Sequence, residues 1–184
     1  MEPNRTNRSK SQTGMTLIEA AVAILVLTIG VTAVAAVFVQ GLSLMGGSQD
    51  TFIAKEKAQE AIESVFAGRD DQNLTWAQIL NQKGASGADG GVFLDGPQPI
   101  NDPGPDGLVN TIDDGGLEYI VQPGPDGVFG TADDVHVPLV KFQREIRIRT
   151  VAGNPNLRTL TVIITNSATG VVIYQINTYI SAFV

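Results

Sequence analysis

Two groups of acidic residues in this sequence could do chemistry, and their settings differ. The first is a single carboxylate. Between Met15 and Gln49 the only ionisable side chain is Glu19, in a run of mostly Ala, Val, Ile, Leu, Phe and Met. A charge at the centre of a membrane helix costs roughly 2.5–3.5 kcal/mol on insertion scales, and less near an interface. A carboxylate kept there serves a positively charged partner, because opposite charges attract far more at low dielectric than in water.

The second group fills residues 85–140, which hold ten Asp and Glu but no Lys or Arg. Within it a pattern repeats. Pro103-Gly104-Pro105-Asp106-Gly107 runs on to Asp113-Asp114, and Pro123-Gly124-Pro125-Asp126-Gly127 runs on to Asp133-Asp134, 20 residues later. Carboxylates crowded on tight turns repel unless something offsets their charge. Calcium, which takes six to eight oxygen ligands, is the natural cation. The first copy lies on the twelve-residue calcium-loop spacing: Asp102 first, Asp106 fifth, then Gly107, the Leu108 carbonyl, Asn110 ninth and Asp113 twelfth. Gly104 stands where the third ligand is expected, and Asp113 replaces the usual bidentate Glu. The second copy offers Asp126, Asp133 and Asp134, with Gln122 and Gly130 at the first and ninth positions. Asp-Gly turns with solvated acids account for the same pattern. His136, the sole histidine, has no cysteine to join it in a zinc site. There is no nucleophile motif that one histidine would serve and no phosphate loop, so the expectation is a protein that is not an enzyme.

The elements that position these groups follow from periodicity. The apolar run to about Val39 is long enough to cross a bilayer as a helix. Helical spacing continues through Ala54, Ala58, Ala61, Ile62, Val65 and Phe66, with Lys55, Glu56, Lys57, Glu60 and Glu63 expected on the opposite side. A helix from Thr16 to Phe66 would be about 75 Å long. Gly41, Gly46 and Gly47 each cost about 1 kcal/mol in it, which suggests a bend. Gly68 and Arg69-Asp70-Asp71 end the helix. A short helix is expected over 74–82, a Gly-rich turn over 84–91, and short strands over 92–94 and 117–121. Three longer antiparallel strands follow, at 140–151, 158–165 and 171–183. The fold class is therefore α+β, a long amino-terminal helix packed on a small antiparallel sheet. Arg144, Arg147, Arg149 and Arg158 are expected on the outer sheet face, where they would be solvated or meet acids of a neighbouring subunit.

The net charge is −7, with no clustered basic surface for nucleic acid. The leader carries Arg5, Arg8 and Lys10 against Glu2. Losing residues 1–14 would take the charge to −9. A secretory signal is cut after its apolar region; here the basic leader precedes the apolar run. Those leader charges favour a cytoplasmic amino end.

The stretch Gly14-Met15-Thr16-Leu17-Ile18-Glu19, followed by that apolar run, resembles the amino terminus of type IV prepilins and type II secretion pseudopilins. The resemblance is specific over about residues 11–66 and architectural beyond. It implies cleavage after Gly14 by a prepilin peptidase, methylation of the new amino terminus at Met15, and Glu19 as the fifth mature residue. Met15 replaces the usual Phe, as in many minor subunits. The family's partners would be the peptidase and methyltransferase, other pilin or pseudopilin subunits, and inner-membrane lipid. The implied organisation is a leader over 1–14, a transmembrane assembly helix over 15–45 and an extracytoplasmic pilin-like domain over 46–184. The implied location is the bacterial inner membrane, single pass with the carboxy-terminal domain outside the cytoplasm, and then the pilus or pseudopilus filament. Major pseudopilins also bind calcium in a loop, which adds weight to calcium here. A membrane-anchored adhesion module using a calcium-bound acidic loop is the alternative function.

Overall fold

A computed structural model of the chain describes residues 16–83 and 90–183. Gly14, Met15, the leader and most of the Gly-rich turn fall outside the described residues. The chain divides into two compact units, Met1–Gly47 and Ser48–Val184.

One helix, α1 (Leu17–Asp70), supplies the described part of the first unit and enters the second. Its first turn is capped by Thr16, whose Oγ1 accepts the Glu19 amide at 3.3 Å. Apolar residues line every side of its first half, from Leu17 to Leu44, and they are exposed. This helix is long and apolar enough to cross a membrane. The two threonines in that half conceal their hydroxyls. Thr28 donates to the carbonyls of Ile24 and Leu25, and Thr32 to those of Thr28 and Ile29, at 2.8–3.0 Å. Neither threonine hydroxyl is thereby left unsatisfied in an apolar surrounding. Gly41, Gly46 and Gly47 do not interrupt the helix.

In the second unit, Ile53, Ala54, Ala58, Ala61 and Val65 of α1 are buried in the core. The helix ends where Gln72 takes a left-handed φ of 57° and the Leu74 amide bonds back to the Gly68 carbonyl at 2.9 Å. The core is completed by a four-stranded antiparallel sheet of order β1-β4-β5-β6. These strands are β1 (Gln98–Pro99), β4 (Phe142–Val151), β5 (Asn154–Asn166) and β6 (Val172–Ser181). Alternation decides the inner face. Ile146 pairs with Val162, and Val162 in turn with Ile176, while Ile148 pairs with Leu160. All but the part-buried Ile176 are fully buried. A separate two-stranded ribbon pairs β2 (Tyr119–Gln122) with β3 (Val135–Pro138).

Three sequence expectations are corrected here. Residues 74–82 form only a 3-10 turn, Trp76–Gln78, because Asn81 is drawn into the sheet. Its Nδ2 donates to the Ile146 carbonyl and its Oδ1 accepts the Ile148 amide, both at 2.8 Å. Residues 92–94 supply a single bridge, Phe93 to Asn81, rather than a strand. Lys57 lies on the buried side of α1 at 8% exposure, held there by two carboxylates.

Candidate functional site

At the head of α1, the Thr16 cap fixes the backbone of the first turn. Glu19 projects from that turn, exposed, and its carboxylate has no ion-pair or hydrogen-bond partner among the described residues. Gly14 and Met15, just ahead of it, lie outside the described residues.

The acidic repeat has one local geometry built twice. Asp106 Oδ1 accepts the Leu108 amide at 2.9 Å, and Asp126 Oδ1 the Val128 amide at 2.8 Å. Asp114 Oδ2 accepts the Asn110 amide at 2.9 Å, and Asp134 Oδ2 the Gly130 amide at 2.6 Å. The Thr111 hydroxyl donates to Asp113 Oδ1 at 2.9 Å, and the Thr131 hydroxyl to Asp133 Oδ1 at 2.6 Å. This Thr131 bond holds the Asp133 carboxyl below its ordinary value. Asn110 and Gly130 occupy the same left-handed position, with φ of 60° and 83°. A Cβ at Gly104 would meet Asp113 at 2.9 Å, and one at Gly124 would sit still closer to Asp133. Glycine is therefore needed for the carboxylate to close over the turn.

Burial separates the two copies. Leu108, Val109, Asn110 and Thr111 are buried, and the Val109 amide donates to Ser64 Oγ on α1 at 3.2 Å. The matching Val128 and Phe129 are 55% and 67% exposed. The first copy anchors the loop in the core; the second presents its apolar tip outward.

That anchoring bears on the calcium spacing. Asn110, the ninth-position candidate, is fully buried, and its Oδ1 accepts Nε of Arg144 at 2.8 Å. The Leu108 carbonyl accepts the Gly104 amide at 3.1 Å. Asp102 engages Gly115 and Gly116 through its backbone. Among the described residues no three acidic or histidine side chains converge as a metal-holding group. Within the spacing Asp102, Asp106, Leu108, Asn110, Asp113, the Asn110 side chain is thus committed to Arg144, and Asp126, Asp133 and Asp134 engage the amides and hydroxyl of their own turn. Backbone N–H groups meet much of the charge for which the sequence suggested a cation.

The polar centre that sequence reasoning missed lies on the inner sheet face. Arg144 and Arg158, expected outside, are buried at 0% and 5% exposure. Arg144 donates to Glu60 Oε1 at 3.2 Å and to Asn110 Oδ1, while Asn110 Nδ2 donates back to the Arg144 carbonyl at 3.0 Å. Lys57 bridges Glu60, at 2.6 Å, and Glu118. Burial, together with the neighbouring Glu60 charge, raises the Glu118 carboxyl above its ordinary value despite Lys57. Arg158 donates to the carbonyls of Trp76 and Ile79 and stacks 4.0 Å over the Trp76 ring. The signal was parity: 144 shares a face with Phe142, Ile146 and Ile148, and 158 with Leu160, Val162 and Ile164. Arg147, by contrast, faces out and pairs with Glu145 at 2.6 Å.

No curated protein and no solved structure matches the chain. A family model described as the prokaryotic N-terminal methylation motif matches residues 9–35, a stretch that contains Gly14, Met15 and Glu19. Together with the long amino-terminal helix and the small antiparallel sheet, an α+β, pilin-like architecture, that match places on this chain the signature of type IV prepilin-like proteins.

Proposed function

We propose that the chain is a minor structural subunit of a type IV pilus or type II secretion pseudopilus. Prepilin peptidase cuts after Gly14, Met15 becomes the methylated amino terminus, and α1 holds the subunit in the inner membrane, its sheet domain outside. The observation that carries this reading is the methylation motif at residues 9–35, which overlaps the apolar first half of α1, where the single carboxylate, Glu19, has no partner among the described residues. Glu19 then receives the positive amino terminus of a neighbouring subunit. Such a pair in a low-dielectric setting fixes axial register more than it adds stability.

The test is a pair of variants. Gly14→Val leaves an uncut precursor, whereas Glu19→Ala is inserted and cut but does not co-purify with other filament subunits. Normal cutting of the first sinks the peptidase reading, and normal assembly of the second sinks the register role.

One observation favours a second reading, an anchored binding module. The second acidic copy exposes Val128 and Phe129, residues whose counterparts in the first copy are buried. A partner covering that tip would be lost in Val128→Ser/Phe129→Ser with assembly intact; binding retained by this variant removes the reading.

A further inference from the structure

The two edges of the main sheet are treated very differently. At one edge β1 is two residues long and contains Pro99, the usual means of making an edge unattractive to other strands. At the other edge β6 runs for ten residues, Val172–Ser181, paired to β5 on one side only. At its end, Arg69 donates to the Ser181 carbonyl at 3.2 Å. A register shift opposite Ile164 and Thr165 disturbs only its first residues.

Its composition is equally unguarded. From Thr159 to Val184 there is no Asp, Glu, Lys, Arg or His, and β6 itself has neither Pro nor Gly. Sheet proteins keep such edges apart with charge, proline or bulges, and a long, uncharged, β-branched and aromatic edge pairs with another strand. In a chain of net charge −7, it is also a surface where two copies meet without like-charge repulsion.

We propose that β6 is a strand-pairing interface and that its occupant is the β6 strand of a second copy, laid antiparallel to extend the sheet across a two-fold axis. Edge pairing of this kind is self-complementary. Centred on Ile176, it sets Tyr174 opposite Thr178 on one face and Gln175 opposite Asn177 on the other, within the regular part of the strand beyond the register shift. Aromatic and β-branched pairs of this sort stabilise sheets, and no register brings two charges together.

The chain has no native cysteine, so single cysteines report the contact directly. Gln175→Cys and Asn177→Cys, on exposed positions of β6, and Glu63→Cys, on the exposed side of α1, are made in the full chain. Each is treated in native membranes with a short bis-maleimide. The expected result is a band at twice the monomer mass for the β6 positions and none for Glu63→Cys. Adding Asn177→Lys to Gln175→Cys, which sets a charge in the pair while leaving the inner face untouched, abolishes the band with the melting temperature unchanged. Dimer no stronger than in the Glu63→Cys control, dimer that survives the lysine, or cross-linking only to a different polypeptide overturns the proposal. Cleavage at Gly14 is read from the same samples, so failure here is distinct from failure of the filament reading.

Discussion

Asn110 and Arg144 hold each other by two hydrogen bonds in opposite senses. Arg144 Nε donates to Asn110 Oδ1 at 2.8 Å, and Asn110 Nδ2 donates to the Arg144 carbonyl at 3.0 Å. Both residues are fully buried. The acidic loop is thus pinned to β4 by a polar contact at its first repeat, with Leu108 and Val109 packed beside it.

The first prediction separates that contact from backbone strain. Asn110→Gly keeps the left-handed φ, as Gly130 does in the second copy, but removes both side-chain bonds. It should lose about 1–3 kcal/mol in denaturant unfolding. Arg144→Ala, which empties a fully buried site and leaves Glu60 to Lys57 alone, should lose about 2–5 kcal/mol. Losses within error of zero would mean the loop is held by its apolar residues alone.

Glu118 makes stability depend on pH in a defined direction. Its carboxyl is raised above the ordinary 4.5 by burial. A group raised on folding stabilises fully below its unfolded value and loses that contribution as pH rises through the folded one. The stability of the natural chain relative to Glu118→Gln should therefore fall between pH 4.5 and neutrality. Thermal melts of both across that range check it, and a difference that rises with pH would contradict it.

The repeat closes on its own amides and hydroxyls, which leads to two expectations. Thr131→Val should return the Asp133 carboxyl upward toward its ordinary value in an NMR titration, since the Thr131 hydroxyl is the main cause of its depression. Chelation should leave the melting temperature of the full protein unchanged, because Asn110 is committed to Arg144 rather than to a cation. A fall in melting temperature that calcium restores would show that binding reorganises the first copy.

Much of this architecture was legible in the sequence because it rests on long periodic patterns. The apolar run, the Ala54 to Val65 stripe and the three alternating strands are signals summed over many residues, and each was recovered. The interior polar groups were not, because side-chain type was weighed above position. Arg144, Arg158 and Lys57 were assigned to solvent by their charge, although spacing put each on an inward face. Asn81 broke an expected helix through contacts with β4, residues distant in sequence that no local pattern reveals. The repeat was visible at once, but the opposite burial of Val109 and Phe129 was not: two turns of one backbone geometry pack against different surroundings.

Processing at Gly14, on which the proposed function rests, is tested most directly by intact mass. The protein is taken from membranes of cells with and without the prepilin peptidase. The account predicts a species beginning at methylated Met15 in the first and the uncut chain in the second. The uncut chain in both would contradict it and leave α1 as an ordinary membrane anchor.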